Sequence, residues 1–247
     1  MNVGQEQQPS PLMEKREEGL LPQAIAHFRT ASRLKRAALL CSLFELKPTT
    51  RVLDLGGSNG VYLNSCIAGT PIQAKNVYVA DINAPEVKRA EERFGYNGVV
   101  LSGDGPLPFP DKFFDVVFCS SVLEHVTLPE NEAWLERSGT RFRRLAQRRQ
   151  HQFARELNRV AAGYFVQVPY RWFPVETHTW LPFVSYLPRF IQCPLIGISN
   201  RFWIKATVPD FYLPTSGDMA GYFPEAEMMK ETVWGLTKSL IAVKRAA

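Results

Sequence analysis

The sequence predicts an α/β fold in which helices cover both faces of a mostly parallel, doubly wound sheet. Its short apolar runs are nearly continuous rather than alternating, as expected for parallel strands buried on both sides. Segments long enough for helices separate these runs, and the first run ends in a glycine-rich turn. With 247 residues, 45% of them hydrophobic, the chain can bury the core of one such domain with additions.

The N-terminal part of the chain divides into a polar tail and a helix. We expect residues 1–18 to be a disordered tail and 19–247 to form a single domain. Apolar positions recur at spacings of three and four over 20–46, which predicts an amphipathic helix that Pro48 ends. The tail lacks an apolar signal core and the four cysteines are scattered, so we expect a cytoplasmic protein with reduced thiols.

The most informative stretch is the end of the first apolar run. This run carries Asp54 and breaks into Gly56, Gly57, Ser58, Asn59 and Gly60, after which a helix can begin. A strand, a glycine turn and a helix start form a pocket of the nucleotide-binding type, because the helix start offers free N–H groups. The nicotinamide dinucleotide fingerprint is not matched, since Ser58 stands where its second glycine belongs.

Two further motifs follow at the expected separations. Residues 76–82 form a predicted strand that ends in Asp81, about 20 residues after Gly60, where a carboxylate can bind a ribose diol. Residues 102–110, Ser-Gly-Asp-Gly-Pro-Leu-Pro-Phe-Pro, lead into the apolar run at 113–121 and then into Val-Leu-Glu-His-Val. With Asp-x-Gly-x-x-x-Gly at 54–60, these motifs resemble the class I S-adenosylmethionine (SAM)-dependent methyltransferases, and in particular the methyltransferase type 11 group.

The resemblance is strongest over residues 48–126 and implies SAM as the cofactor. It also implies a Rossmann-like sheet of seven strands with an antiparallel last strand, closed by a hairpin over 227–234 and 236–243. In this family an acid equivalent to Asp104 holds the adenine amino group. The implied cofactor-binding residues are Asp54, Gly56, Gly57, Ser58, Gly60, Asp81, Ile82, Asp104, Gly105, Ser120, Ser121 and His125. A helix-capping role is the alternative for His125.

Two basic segments leave their roles open. The family's N-terminal helix commonly covers the cofactor pocket, so Arg33, Lys35 or Arg36 could meet the cofactor's carboxylate, although a solvated face is the alternative. Residues 127–162 predict an arginine-rich helical segment, with eight arginines and two glutamates between Trp134 and Val160. A solvated helix face competes here with binding to a phosphate-bearing substrate, an RNA backbone or an anionic membrane.

Residues 170–225 follow the predicted fifth strand and are expected to form a substrate-side insertion or lid, because ligands bind beyond the carboxyl ends of such strands. His178 and Tyr170 are the candidate catalytic residues, and Arg171, Trp172 and Glu176 the candidate substrate-binding residues. The alternative is that Glu176 and His178 pair with each other and hold the loop. Prolines exclude a membrane-spanning helix over 180–198, which favours a lid, a substrate wall or a membrane-surface contact.

These motifs predict methyl transfer from SAM to a small, partly apolar acceptor, on oxygen, nitrogen or carbon, by proximity and alignment. Residues 119–122 read Cys-Ser-Ser-Val rather than Asn/Asp-Pro-Pro-aromatic, which makes a nucleic acid acceptor unlikely. Acids for a metal-dependent reaction are also absent there, so we expect no metal ion. The alternatives are a lipid or quinone methyltransferase at the membrane surface and a non-catalytic SAM-binding partner subunit. The sequence leaves the oligomeric state open.

Overall fold

The computed structural model describes residues 20–103 and 105–246. The predicted disordered tail and Asp104 lie outside these ranges. The strands are β1 (Val52–Leu55), β2 (Val77–Asp81), β3 (Asn97–Val100), β4 (Phe114–Ser120), β5 (Ala161–Pro169), β6 (Glu227–Val233) and β7 (Leu236–Lys244). The helices are α1 (Leu20–Leu43), α2 (Val61–Ile67), α3 (Ala84–Phe94), α4 (Glu130–Leu135), α5 (Gly139–Val160), α6 (Arg189–Ser199) and α7 (Ser216–Tyr222).

The strands form one seven-stranded sheet in the order β3-β2-β1-β4-β5-β7-β6. Strands β1 to β5 pair in parallel, whereas β7 runs antiparallel to both β5 and β6. The strand order reverses between β1 and β4, and ligands bind at such a switch point in open α/β sheets. The predicted mostly parallel sheet with an antiparallel last strand is therefore confirmed.

The sheet buries a separate apolar cluster on each of its faces. On one face, Leu40 of α1, Leu63 of α2 and Ala90 of α3 pack against the strands. On the other face, Leu157 of α5 and Met219 of α7 do so. Successive residues of β1 point to opposite faces, and all four of its residues are buried. This burial on both sides explains why the strands read as continuous apolar runs.

The arginine-rich segment contains the short helix α4 and the longer α5, not one helix. Ser138 separates them, and its side chain accepts a hydrogen bond from the backbone N–H of Arg141 to cap α5. The region after β5 contains α6, which has Pro194 inside it, and α7, which begins with a capping box at Thr215. Within the described residues, no helix combines the length and the apolar character needed to cross a membrane.

Candidate cofactor and acceptor site

The glycine turn after β1 adopts a conformation that only a few residue types tolerate. Gly56 and Gly60 have φ angles of 75° and 69°, and Ser58 has a φ of 51°. The N–H of Gly56 donates to the carbonyl of Ala80 (2.7 Å), which fixes the turn to β2. A Cβ atom at Gly57 would lie 2.2 Å from the carboxyl group of Asp54. The turn therefore rests directly on the acid inside β1.

Asp54 is a fully enclosed carboxyl group beneath this turn. Its side chain is 3% exposed, and its Oδ2 atom has no hydrogen-bond partner among the described residues. Burial, together with the nearby Asp81 carboxylate, raises the pKa of Asp54 to about 8. Asp54 therefore supports the turn from below and carries a proton near neutral pH.

Asp81 ends β2 beside the glycine turn. Its Oδ2 accepts a hydrogen bond from the backbone N–H of Ser58 (2.8 Å), and its Oδ1 accepts one from the N–H of Asn83 (2.9 Å). A carboxylate has about four lone-pair sites, so capacity remains for the two hydroxyls of a ribose. The neighbouring Ile82 is 68% exposed and offers an apolar surface at the same edge. The free acceptor sites of Asp81 and the apolar surface of Ile82 fit the nucleoside half of SAM.

The loop between β3 and β4 carries the last motif of the cofactor side. Asp104 lies outside the described residues, whereas Gly105 is exposed and has a φ of 108°. Arg159 at the end of α5 donates to the carbonyls of Leu107 (2.9 Å) and Phe109 (2.8 Å). Glu156 accepts the N–H of Leu107 (2.8 Å). Two residues of the arginine-rich segment therefore anchor this loop.

A buried polar cluster lies at the carboxyl ends of β4 and β5. The Oε1 atom of Gln167 accepts hydrogen bonds from the hydroxyls of Ser120 (2.7 Å) and Ser121 (3.2 Å) and from the guanidinium of Arg36. Arg36 reaches this point from α1 and also donates to Ser120 (3.2 Å). Helix α1 is therefore attached to the strand ends through a charged side chain.

A cavity of about 220 Å³ opens beside this cluster. Its walls come from α1, from the carboxyl ends of β4 and β5, from the segment after β5 and from the start of β7. Its polar and aromatic lining residues include Phe28, Arg29, Arg33, Arg36, Tyr62, Ser120, Ser121, His125, Gln167, His178, Trp180, Lys205 and Lys238. Five of these are arginines or lysines, so the cavity suits an anionic group.

Only part of this charge is neutralised by the protein. Lys238 and Arg36 both face Glu231, at 3.3 Å and 3.9 Å. Burial lowers the pKa of Lys238, although Glu231 opposes this effect. Burial and the adjacent Arg29 lower the pKa of Arg33, whose guanidinium lies 4.9 Å from the centre of the Tyr62 ring. The crowding of cations destabilises their charged forms until an anion enters.

His178 lies between two buried carboxylates. Its Nδ1 is 2.5 Å from Oε1 of Glu176, and its Nε2 is 3.5 Å from Oε1 of Glu124. Burial lowers the pKa of His178, but the two carboxylates outweigh it and raise that pKa to about 9. Burial would raise the pKa of Glu176, yet His178 and the N–H groups of His178 and Thr179 bring it below its usual value.

His125 follows β4 in a short 3-10 turn, Leu123–His125, and adjoins the same group. Its Nδ1 lies 3.2 Å from Oδ1 of Asp210, and its ring meets the His178 ring edge-on with centroids 4.7 Å apart. Both histidines line the cavity. The structure thus brings together two of the residues predicted from distant parts of the sequence.

The remaining candidates lie farther from this cavity. Tyr170 packs against the main apolar core and is not among the residues that line the cavity. Arg171 lines a different cavity, of about 500 Å³, between α5 and α6. Its guanidinium stacks over the exposed Trp172, 5.2 Å from the ring centre. Glu176 contacts the cavity through His178 rather than directly.

Sequence reasoning missed two polar residues of the site, Gln167 and Lys238, which carried no motif signal. Arg36 was named as a candidate among the basic residues of its helix, and Glu124 lies within the quoted Val-Leu-Glu-His-Val motif but was given no role. The one available signal was position: Gln167 interrupts an apolar strand near its carboxyl end, and Glu124 follows the end of β4. Polar residues within or just after apolar strands are therefore the sequence signal that indicates these site residues.

Comparison with known proteins agrees with this geometry. The family model described as a methyltransferase domain matches residues 53–162. A ubiquinone/menaquinone biosynthesis C-methyltransferase of Vibrio campbellii is 34% identical over 99 residues. That match covers 38% of this chain and 37% of the relative, so the chain spans well under half of that relative's length.

Two solved structures share the fold at low identity. A putative O-methyltransferase from Nostoc punctiforme superposes with a TM-score of 0.54 at 14% identity, over 94% of this chain and 60% of that one. Magnesium protoporphyrin IX methyltransferase from Synechocystis, solved with bound S-adenosylhomocysteine, gives 0.51 at 17% identity, over 94% and 93%. Residues 53–162 are therefore similar to a methyltransferase domain, and the fold of the described chain is similar to that of these two solved methyltransferases.

Proposed function

We propose that this chain transfers the methyl group of SAM to a small, partly apolar acceptor that carries an acidic group. The observation that supports this substrate class is the cationic lining of the 220 Å³ cavity at the carboxyl ends of β4 and β5. Phe28, Tyr62 and Trp180 add aromatic walls to the same cavity. A planar acid of modest size would satisfy both the charges and the rings.

The protein's contribution to the reaction is alignment. SAM supplies an electrophilic methyl group on a sulfonium, which needs a nucleophile held in line. Asp81 and the glycine turn would hold the nucleoside, while Arg33, Arg36 and Lys238 would bind the acceptor's anionic group and orient it. One of these cations serves equally well for the cofactor's own carboxylate. The aromatic walls of the cavity would limit the access of water to the charged sulfonium.

His178 is better suited to orientation than to proton abstraction in this scheme. Carboxylates face both of its ring nitrogens, and its pKa of about 9 keeps it protonated near neutral pH. The acceptor would then bind with a nucleophile that needs no deprotonation by His178, such as a phenolate, an enolate or an activated ring carbon. Tyr170 would have a structural role, since it packs in the core.

The test is to incubate the protein with methyl-labelled SAM and fractionated small molecules. Label should enter low-mass products that an anion exchanger retains. The Arg33→Ala variant should raise the KM for such an acceptor at least about tenfold, while the exposed Lys35→Ala on the same helix should leave it unchanged. Label confined to neutral compounds, to protein or to RNA would contradict the proposal.

A second candidate is that the acceptor is dissolved in a membrane, which one surface feature favours. Helix α6 and its flanks expose several large apolar side chains, among them Phe183, Phe190, Ile191, Ile198 and Phe202. Arg143 of α5 and Phe190 of α6 line the same 500 Å³ cavity, so basic and apolar side chains adjoin there. This combination suits an anionic bilayer surface.

Vesicle flotation tests this candidate. The protein should float with phosphatidylserine-containing vesicles at low salt and less with neutral vesicles. Phe190→Ser should reduce flotation, whereas Trp234→Ser, at the exposed turn between β6 and β7, should not. Failure to float with anionic vesicles at low salt would remove the membrane alternative and leave the soluble acid.

A further inference from the structure

We propose that Glu124, His125 and His178 bind one divalent transition-metal ion, with Zn²⁺ as the best match. Each residue offers one ligand atom, and these atoms all lie within 4.8 Å of one another. Two imidazoles and one carboxylate form a known ligand set for zinc sites that keep an open position. The inference concerns metal binding alone, and the proposed methyl transfer does not depend on it. A metal-bound imidazole is neutral, so a bound ion would displace the proton that His178 carries in the metal-free protein.

Glu124 is the first independent indication of a missing partner. Its side chain is completely buried, yet neither carboxylate oxygen has a hydrogen-bond partner among the described residues. An unpaired buried carboxylate is strongly unfavourable. Its ion-pair distance to Nε2 of His178, 3.5 Å, is too long for a good charge-assisted hydrogen bond. It is close to the roughly 3.4 Å that separates two ligands about 2.1 Å from a tetrahedral ion.

The orientation of both histidine rings is the second indication. Metal-bound histidines usually donate their other ring N–H to a carboxylate, which fixes the tautomer. Here Nδ1 of His178 faces Glu176, and Nδ1 of His125 faces Asp210. Nε2 of each ring is therefore the atom left to bind a metal. Each histidine thus has its own carboxylate partner at Nδ1. Glu124 is the third carboxylate and would coordinate the ion directly.

Access and charge also agree with an ion at this position. His125 is partly exposed, and both histidines line the 220 Å³ cavity, so an ion has an entry path and room for a further ligand. Three carboxylates, Glu124, Glu176 and Asp210, lie next to the two imidazoles and could pair with a dication, although arginine and lysine side chains line the rest of the cavity. Nitrogen ligands favour zinc or ferrous iron over magnesium.

The competing explanation is a histidinium held between Glu124 and Glu176 with no metal. It accounts for the position of His178, but it does not involve His125, which pairs with Asp210 instead. The two explanations therefore differ in what they predict for a His125 variant. Only the metal site requires His125 for binding of an ion.

The test is to titrate the metal-free full-length protein with Co²⁺ and follow visible d–d absorption, then compete with Zn²⁺. We expect one equivalent to bind and Zn²⁺ to displace it. His125→Ala and Glu124→Gln should weaken binding at least about a hundredfold, whereas His151→Ala on α5 should bind as the wild type does. Circular dichroism checks the fold, and His125→Ala decides alone if Glu124→Gln fails to fold. Absence of binding, or equal binding by His125→Ala and wild type, would overturn the proposal.

Discussion

The carboxylate of Asp81 accepts a hydrogen bond from the backbone N–H of Ser58 at 2.8 Å. The acid that ends the second strand therefore also fixes the turn that follows the first strand. Ser58 has a left-handed conformation, and this bond helps to hold it there. Because both features lie at one sheet edge, changes to either should affect the same binding event.

Asp81→Asn should weaken binding of S-adenosylhomocysteine by roughly 10- to 100-fold. The amide keeps one acceptor for Ser58 but loses the charge, and hydrogen bonds to charged groups contribute about 1.5–3 kcal/mol. Isothermal titration calorimetry measures the change directly. Glu92→Gln, at an exposed acid of α3, serves as the control and should retain wild-type affinity. An unchanged Kd for Asp81→Asn would show that the Asp81 carboxylate does not bind the cofactor.

Gly57→Ala should abolish measurable S-adenosylhomocysteine binding and lower the free energy of unfolding by about 1–3 kcal/mol. The new methyl group would lie 2.2 Å from the carboxyl of Asp54, so the turn must move. Gly221→Ala in α7 meets no atom within 4 Å and should be neutral or slightly stabilising. Thermal unfolding and calorimetry on both variants make the comparison. Equal stability and equal S-adenosylhomocysteine affinity of the two alanine variants would mean that the close contact between Gly57 and Asp54 is not needed for binding.

Asp54→Asn should change how stability depends on pH. The folded-state pKa of Asp54 is about 8, whereas an unfolded aspartate has a pKa near 3.9. Between these values the unfolded state releases a proton that the folded state keeps, so the carboxyl makes the free energy of unfolding fall as pH rises from about 4 to 8. The asparagine variant lacks this effect. Its free energy of unfolding should therefore rise relative to that of the wild type by about 1 kcal/mol per pH unit between pH 4 and pH 8. Urea unfolding at several pH values tests this, and parallel curves would contradict it.

Arg159→Ala should destabilise the protein by about 1–3 kcal/mol because it leaves the carbonyls of Leu107 and Phe109 without their donor. Arg148→Ala, at an exposed position of the same helix, should change stability by less than about 0.5 kcal/mol. Chemical denaturation of both variants gives the difference. Equal effects would mean that the arginines of α5 act only through their total charge.

The position of the proposed cofactor residues at one sheet edge was predictable because their signals are local in sequence. The glycine turn occupies contiguous residues, and Asp81 ends the next strand, so a parallel sheet brings both to one edge. The buried parallel strands followed from their continuous apolar runs, whereas the closing hairpin was implied by the family resemblance, since β6 is largely polar and exposed. The break between α4 and α5 was not foreseen, since the apolar spacing on both sides of Ser138 suits a helix.

The acceptor half was not predictable because its residues meet only through tertiary packing. Arg36, Gln167 and Lys238 come from α1, β5 and β7, and no spacing links them. The expectation that no acids follow β4 rested on residues 119–122. Glu124 lies just beyond them, in a 3-10 turn that buries its side chain. The separation of Tyr170 and Arg171 from His178 depends on the path of an irregular segment, which periodicity does not describe.

The hydrogen bond from Lys238 to the hydroxyl of Ser32, 2.5 Å long, joins the first described helix to the last hairpin. Contacts between such distant parts of a chain carry a large loop-closure cost and tend to form late in folding. A partly folded molecule could therefore already possess the nucleoside pocket, whose parts lie close together in sequence, while its acceptor chamber is still open to solvent. Folding would then proceed in two stages, with the proposed nucleoside pocket formed before the proposed acceptor cavity.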